Sequence, residues 1–231
     1  MHNQLVLDLS LPAQPTLDNF VIGRNTELIQ VLRDMLAPKP QERFVYVWGS
    51  PGSGRSHLLK AMVDAFRRQH LSASYICCSQ DSEIASATEL PDALAMDDVE
   101  RLSGNSQIAL FNLYNHIREG PGVLLVSGAT PPAQLKLRED LVTRLGWGLV
   151  FQVKGLNDEE KMQALKTHAK NRGFELPQDA ADYLLRHGRR DMPSLLAVLN
   201  ALDNYSLRTK RPVTLPLLRE IMQAQLFPGG E

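Results

Sequence analysis

Two rhythms of apolar residues alternate along the first two thirds of this chain. Phe44-Val45-Tyr46-Val47-Trp48 is a continuous β-rich run, and Gly122-Val-Leu-Leu-Val-Ser127 is an apolar run too short for a helix. Both read as buried strands. Shorter runs at Ala73 to Cys78 and Ala93 to Asp97 predict two more. Between them the spacing turns helical. Leu28, Val31, Leu32 and Met35 follow Asn25 and stop at Pro38 and Pro40; Leu58 to Phe66 keeps the same period, and so does the stretch holding Ile108, Phe111, Leu113 and Tyr114. Strands alternating with helices predict a parallel sheet covered on both faces.

The pattern changes after Phe151. Asn157-Asp158-Glu159-Glu160 supplies a helix cap followed by acids that suit the helix dipole, and every later element through Leu226 reads as helical. The expected organisation is therefore an α/β parallel-sheet domain over residues 16–154 and a small all-α domain over 155–231. Residues 1–15, which alternate apolar and polar before Pro12 and Pro15, form a flexible tail outside the core.

Composition narrows the function classes. A chain of 231 residues buries roughly 70% of its unfolded surface and needs no staples. With 25 Lys plus Arg against 26 Asp plus Glu, no global charge favours nucleic acid. The only cysteines, Cys77 and Cys78, are adjacent and make no disulfide framework; they fit a reducing, cytoplasmic setting. No apolar run approaches the roughly 20 residues of a membrane span, and the N-terminus lacks the signature of a signal peptide.

The chemistry is concentrated after the first strand. Residues 49–56, G-S-P-G-S-G-R-S, match the phosphate-loop pattern G-x-x-x-x-G-K-[ST] except that Arg55 replaces lysine. Gly49, Gly52 and Gly54 let backbone amides turn toward anionic oxygens, and the N-terminus of the following helix adds partial positive charge. Ser56 is placed to ligate Mg²⁺. Arg55 can neutralise phosphate, but its planar fork differs from a lysine point charge. Leu94-Ala95-Met96-Asp97-Asp98 is an apolar strand ending in two carboxylates. Alternation would send them apart, Asp97 toward Mg²⁺ and Asp98 toward water near a γ-phosphate. A Gly/Ser turn and a polar strand end are the plainer alternatives. The six histidines show no metal-ligand spacing.

Taken together, these motifs resemble the AAA+ ATPases and, within them, the family of the bacterial replication initiator DnaA. Thr16-Leu-Asp-Asn-Phe-Val-Ile-Gly-Arg-Asn25 is similar to the family's segment along the adenine, which implies nucleotide contacts from Val21 and Ile22. Ser127-Gly-Ala-Thr-Pro-Pro132 resembles sensor 1, and Asp140-Leu-Val-Thr-Arg-Leu-Gly-Trp147 resembles the box whose arginine acts in a neighbouring subunit, here Arg144. The resemblance thus implies an AAA+ nucleotide-binding domain with a helical lid. Its nucleotide set is Val21, Ile22, Gly49, Pro51, Gly52, Ser53, Gly54, Arg55, Ser56, His57 and Ser127, with Ser56 and Asp97 at the metal and Asp98 beside the γ-phosphate. His57 could instead pack or hydrogen-bond on its own helix, and Arg144 could be a surface arginine paired with Asp140.

Three departures separate the chain from the initiator. Only about twenty residues divide Cys78 from Asp98, the sequence stops soon after the lid without a helix-turn-helix domain, and the loop carries arginine. These features resemble the regulatory, DnaA-homologous branch of the family. That branch binds the DNA-loaded sliding clamp, the DNA polymerase III beta subunit, and promotes hydrolysis of DnaA-bound ATP, so preventing re-initiation. Gln4-Leu5-Val6-Leu7-Asp8-Leu9 resembles its clamp-binding peptide, with Gln4, Leu5, Leu7 and Leu9 as contacts; an edge strand is the plainer reading. ADP (or ATP) with Mg²⁺ is the expected ligand, and self-hydrolysis is expected to be weak or absent.

Pro193 takes the place of the family's sensor 2 arginine, with Arg189 or Arg190 as substitutes. Two basic clusters, Arg186 to Arg190 and Arg208 to Arg211, are either solvated faces or weak DNA contacts. Homo-oligomerisation that hides Arg144 stays open. The competing reading is a free-standing AAA+ helicase loader that spends its own ATP; a third, a nucleic-acid-binding module, fits the neutral charge poorly.

Overall fold

The computed structural model describes residues 14–81, 91–189 and 191–226. The chain divides into a unit ending at Gly155 and a second unit beginning at Leu156. The first begins with helix α1 (Thr26–Asp34), strand β1 (Phe44–Trp48) and helix α2 (Arg55–Arg68). It continues through β2 (Ala73–Cys77), β3 (Ala93–Asp97), α3 (Gly104–Glu119), β4 (Val123–Gly128), α4 (Glu139–Leu145) and β5 (Leu149–Gln152). The five strands form one sheet in the order β2-β3-β4-β1-β5, and every pairing is parallel.

Strand alternation divides the side chains between two cores. Val45, Val47, Ala93, Ala95, Val123 and Leu125 face one side, where Leu58, Leu59, Met62 and Phe66 of α2 and Leu28, Ile29 and Leu32 of α1 pack. Tyr46, Leu94, Met96, Leu124 and Val126 face the other, against Leu110, Leu113, Tyr114 and Ile117 of α3 and Leu141 and Leu145 of α4. Small alanines on β3 let α2 lie close to the sheet on the first face. The strand expected to run through Cys78 ends at Cys77; Cys78 turns into the second core, where burial pushes its thiol up to about 12.

Two close approaches fix the sheet's lower end. Arg43 donates to the carbonyls of Ile117, Arg118, Gly120 and Gly122, satisfying the C-terminal end of α3. A Cβ on Gly148 would meet the Phe44 carbonyl oxygen at 2.2 Å, so only glycine lets β5 join β1 there.

The second unit contains α5 (Asp158–Asn171), α6 (Gln178–His187), α7 (Met192–Thr209) and α8 (Leu215–Leu226) around Leu165, Leu184, Leu195, Leu199, Leu202, Leu217 and Leu218. Asn157 and Glu160 form a reciprocal capping box at the start of α5. Asp191 caps α7, whose first turn accommodates Pro193. Asp203, buried, is answered by Arg172 at 2.6 Å. Among the described residues no helix is long and apolar enough to cross a membrane.

Gly148→Ala is expected to destabilise the chain by about 1–3 kcal/mol through overpacking against the Phe44 carbonyl. Gly104→Ala, at an open helical position with nothing within 4 Å of the added carbon, should be neutral or slightly stabilising. Urea unfolding of both variants checks the contrast.

Candidate functional site

Parallel strands bring their carboxyl ends to one edge, which is where open α/β sheets hold ligands. Register places Val47 beside Ser127 and Met96 beside Val126, so the residues following β1, β3 and β4 converge. The glycine loop leaves β1 and ends at Gly54, which precedes α2 with φ 106°; Gly52 has φ 78°. Both values favour glycine. A Cβ on Gly54 would come within 2.7 Å of the Phe20 ring, and one on Gly49 within 2.6 Å of the Val153 carbonyl. The loop is therefore pressed between the leading segment and the end of β5.

The leading segment is tied down by side chains distant in sequence. Asn25 is buried and, instead of capping α1, donates to the carbonyls of Ile22 and Lys154 and accepts from the Lys154 amide. Arg24 donates to the Gly155 carbonyl at 3.0 Å. His57 does not bond within its helix. Its Nε2 lies 2.9 Å from the Thr16 carbonyl oxygen and its ring packs near Phe20. Burial lowers the pKa of His57 against the raising effect of that carbonyl. Val21 and Ile22 are half-buried beside these anchors, and Ile22 packs on the first core.

At the end of β3 the two carboxylates part company, although not by strand alternation. Asp97 is the last strand residue and is 2% exposed. It accepts from Tyr75 Oη at 2.7 Å and from the Ser127 hydroxyl. Burial works to raise its pKa, but bonds from Ser127, Ser56 and Tyr75 and the Arg55 charge outweigh burial and hold it below the usual carboxylate range. Tyr75 is raised by its own burial and by Asp97, so it stays a donor.

Asp98 has already left the strand with φ 56°. Its amide donates to Ser127 Oγ at 3.1 Å, and its Oδ1 lies 3.1 Å from Arg55 Nη2. The carboxylate expected to face water is held by the loop arginine.

Arg55 is itself buried, with 10% of its side chain exposed. Its Nη1 and the Ser53 hydroxyl are buried without a hydrogen-bond partner. Pro51 and Ser56 are exposed on the loop and first helical turn, and Ser127 is fully buried with its hydroxyl committed to Asp97. Orphaned donors, left-handed glycines and a helix N-terminus at one place fit a phosphate group. Ser56 beside an ionised Asp97 fits a hard cation that keeps waters and phosphate oxygens as its other ligands; among the described residues no cluster of three or more His, Cys, Asp or Glu offers a cation site of its own.

Arg144 lies in the last turn of α4 and lines a cavity with Phe44, at the opposite end of β1 from the loop. The spacing to Asp140 suggests an ion pair, but Asp140 is taken by Arg138 at 2.8 Å. The Arg144 guanidinium instead lies 3.9 Å from the centre of the Trp147 ring and 5.5 Å from that of Phe111. Gln4, Leu5, Leu7 and Leu9 lie outside the described residues, as does Arg190. Arg189 pairs with Asp191 at 3.4 Å, and Arg211 with Glu220 at 3.0 Å. Parts of both basic clusters thus have acidic neighbours.

A parallel sheet with the glycine loop after β1, joined to a helical unit, defines the AAA+ class of P-loop proteins. A family model described as the bacterial DnaA ATPase domain matches residues 11–152, and one described as Hda, lid domain, matches 158–222. The chain therefore belongs to the DnaA family of AAA+ proteins and carries a lid of the Hda type. AMPPCP-bound DnaA from Aquifex aeolicus aligns over 87% of this chain and 71% of its own, at 21% identity and TM-score 0.68. Domain III of Thermotoga maritima DnaA aligns over 92% and 97%, at 19% and 0.71. A RuvB variant from Thermotoga maritima aligns over 91% and 72%, at 16% and 0.65. At these identities the likeness to solved structures is one of fold.

If the Arg55–Asp98 pair is a mutual charge compensation, Arg55→Ala and Asp98→Ala will each destabilise the chain, and the double variant will cost less than their sum. A coupling of about 1–3 kcal/mol is expected for groups in direct contact. Urea unfolding of the four proteins measures it.

Proposed function

We propose that this DnaA-family protein is a regulator that donates Arg144 to the ATP site of DnaA and so promotes hydrolysis of DnaA-bound ATP. The observation that carries the reading is the state of that arginine. Among the described residues no carboxylate pairs with it, the acid one helical turn before it is engaged by Arg138, and aromatic rings lie beside it instead. A guanidinium left at full charge is suited to the negative charge that develops during phosphoryl transfer. An arginine supplied from another subunit contributes about 10³–10⁵ in rate.

The chain's own loop serves a different purpose in this reading. The amides of residues 52–56, with Ser53 and Arg55, would hold the phosphates of a nucleoside diphosphate, ADP being the expected one. Ser56 and Asp97 would hold the Mg²⁺ that accompanies it. Bound metal supplies charge neutralisation. Val21 and Ile22 would line the base, as the family resemblance implies. Asp98, held by Arg55, is poorly placed to orient an attacking water, which weighs against a motor that spends its own ATP. The helicase-loader reading is weakened for the same reason.

The tail at Gln4, Leu5, Leu7 and Leu9 would seat the protein on the DNA-loaded sliding clamp. A weak peptide suffices there, because the rest of the assembly raises its effective concentration. The cytoplasm is the expected compartment.

Arg144→Gln should lower the stimulated hydrolysis of DnaA-bound ATP by about 10³-fold or more in the presence of the loaded clamp. Wild-type stimulation by that variant would rule out donation in trans. Clamp pull-down by the Gln4→Ala, Leu5→Ala double variant should be lost; retained capture would remove the tail from the mechanism.

A further inference from the structure

Four features surrounding Arg144 are not explained by its being an arginine. Its Nε is buried and has no hydrogen-bond partner. Its guanidinium sits on the Trp147 ring at 3.9 Å, with Phe111 of α3 at 5.5 Å. Trp147 is 55% exposed, an unusual position for an indole with no evident role in the core. A second cation, Arg118, lies 5.5 Å from the same ring.

The backbone that carries this indole is fixed on both sides. The Trp147 amide donates to the carbonyl of Arg144 itself at 3.1 Å, closing the end of α4. The next residue, Gly148, abuts the Phe44 carbonyl so tightly that no side chain fits. The backbone from which the indole projects is thus fixed, and the ring lies over the guanidinium.

We propose that Trp147 is the positioning residue for Arg144, its indole face serving as the counterpart that a carboxylate would otherwise supply. The choice of counterpart has a chemical consequence. A carboxylate would fix the guanidinium but neutralise it, and would have to be displaced before the cation could serve another site. The indole attracts the cation through its quadrupole and leaves the net charge intact. It also limits the rotamers of a side chain that otherwise carries about 2 kcal/mol of conformational entropy. Phe111 is the second ring near the guanidinium. The inference rests on the proposed use of Arg144 in trans, but its structural half can be tested in the free protein.

Two measurements test it. In ¹⁵N-labelled protein, the Arg144 Nε–H resonance, identified by its loss in Arg144→Lys, should be shifted upfield by the indole ring current. Trp147→Phe should keep part of that shift, and Trp147→Leu should remove most of it, leaving the smaller contribution of Phe111. In the assay with clamp and DnaA-bound ATP, Trp147→Leu should lower the maximal stimulated rate about tenfold, within the range a cation–π contact can supply. The concentration giving half-maximal stimulation should stay unchanged, and Trp147→Phe should recover most of the rate.

An unshifted resonance in wild type, or a full maximal rate in Trp147→Leu, would overturn the inference. So would a change confined to the half-maximal concentration, since that would make Trp147 a docking contact only. If Arg144→Gln stimulates like wild type, the reading of Arg144 in trans falls and takes the kinetic role of Trp147 with it. Persistence of the ring-current shift would then identify which of the two claims had failed.

Discussion

A guanidinium cannot be buried without an answering group, and Arg55 is buried at the point where the sheet's strands deliver their ends. Much of the local structure follows from that constraint. Asp98 answers the charge, and to reach it the backbone leaves β3 in a left-handed turn that non-glycine residues seldom adopt. The turn would orphan the Asp98 amide, but Ser127 accepts from it. The same hydroxyl donates to Asp97, whose remaining oxygen is held by Tyr75. One buried cation thus organises residues from α2, β2, β3 and β4 into a connected polar network. An unsatisfied group in such a network is costly. The unpartnered Arg55 Nη1 and Ser53 hydroxyl are the places where this one is incomplete, and both belong to residues of the glycine-loop motif.

The chain's two arginines of interest are answered in opposite ways. Arg55 meets a carboxylate, and its charge is spent within the molecule. Arg144 meets an indole and keeps its charge. In an ordinary AAA+ motor a cation at the loop would engage a nucleotide, and the following acid would be free to orient water. Here those two groups are bound to each other, while a cation remote from the loop is left uncompensated. The distribution of charge fits the proposed division of labour, in which the site of chemistry lies in a partner.

The leading segment adds a mechanical element to this picture. Phe20 lies against Gly54, His57 reaches the Thr16 carbonyl, and Asn25 bonds the Lys154 peptide from both directions. The segment that the family resemblance sets along the base is therefore attached to the phosphate loop at one end. At the other end it is attached to the peptides that follow β5. A ligand bridging Val21, Ile22 and the loop would bear on contacts that also fix Lys154 and Gly155, the last residues of the sheet unit. For the proposed nucleotide, fixed contacts at both ends favour a preformed site over one assembled on binding.

What was legible in the sequence was set by local rules. Four of the five strands, a helix cap at Asn157 and a glycine loop between strand and helix were visible because spacing and turn chemistry determine them. What escaped was decided by competition in three dimensions. Asp140 lies one helical turn before Arg144, and spacing alone would pair them; Arg138, two residues ahead of Asp140, captures it instead because both sit at the start of α4. Alternation assigned Asp98 to the opposite face from Asp97, but a strand's period ends with the strand, and Asp98 is already outside it. The bond between His57 and Thr16 spans 41 residues and has no sequence period at all. The Trp147 signal could have been found, since an indole three residues after an arginine at a helix end is close enough to stack. Its meaning depends on the close approach of Gly148 to Phe44, which fixes the backbone beside Trp147, and only the folded chain brings those two residues together.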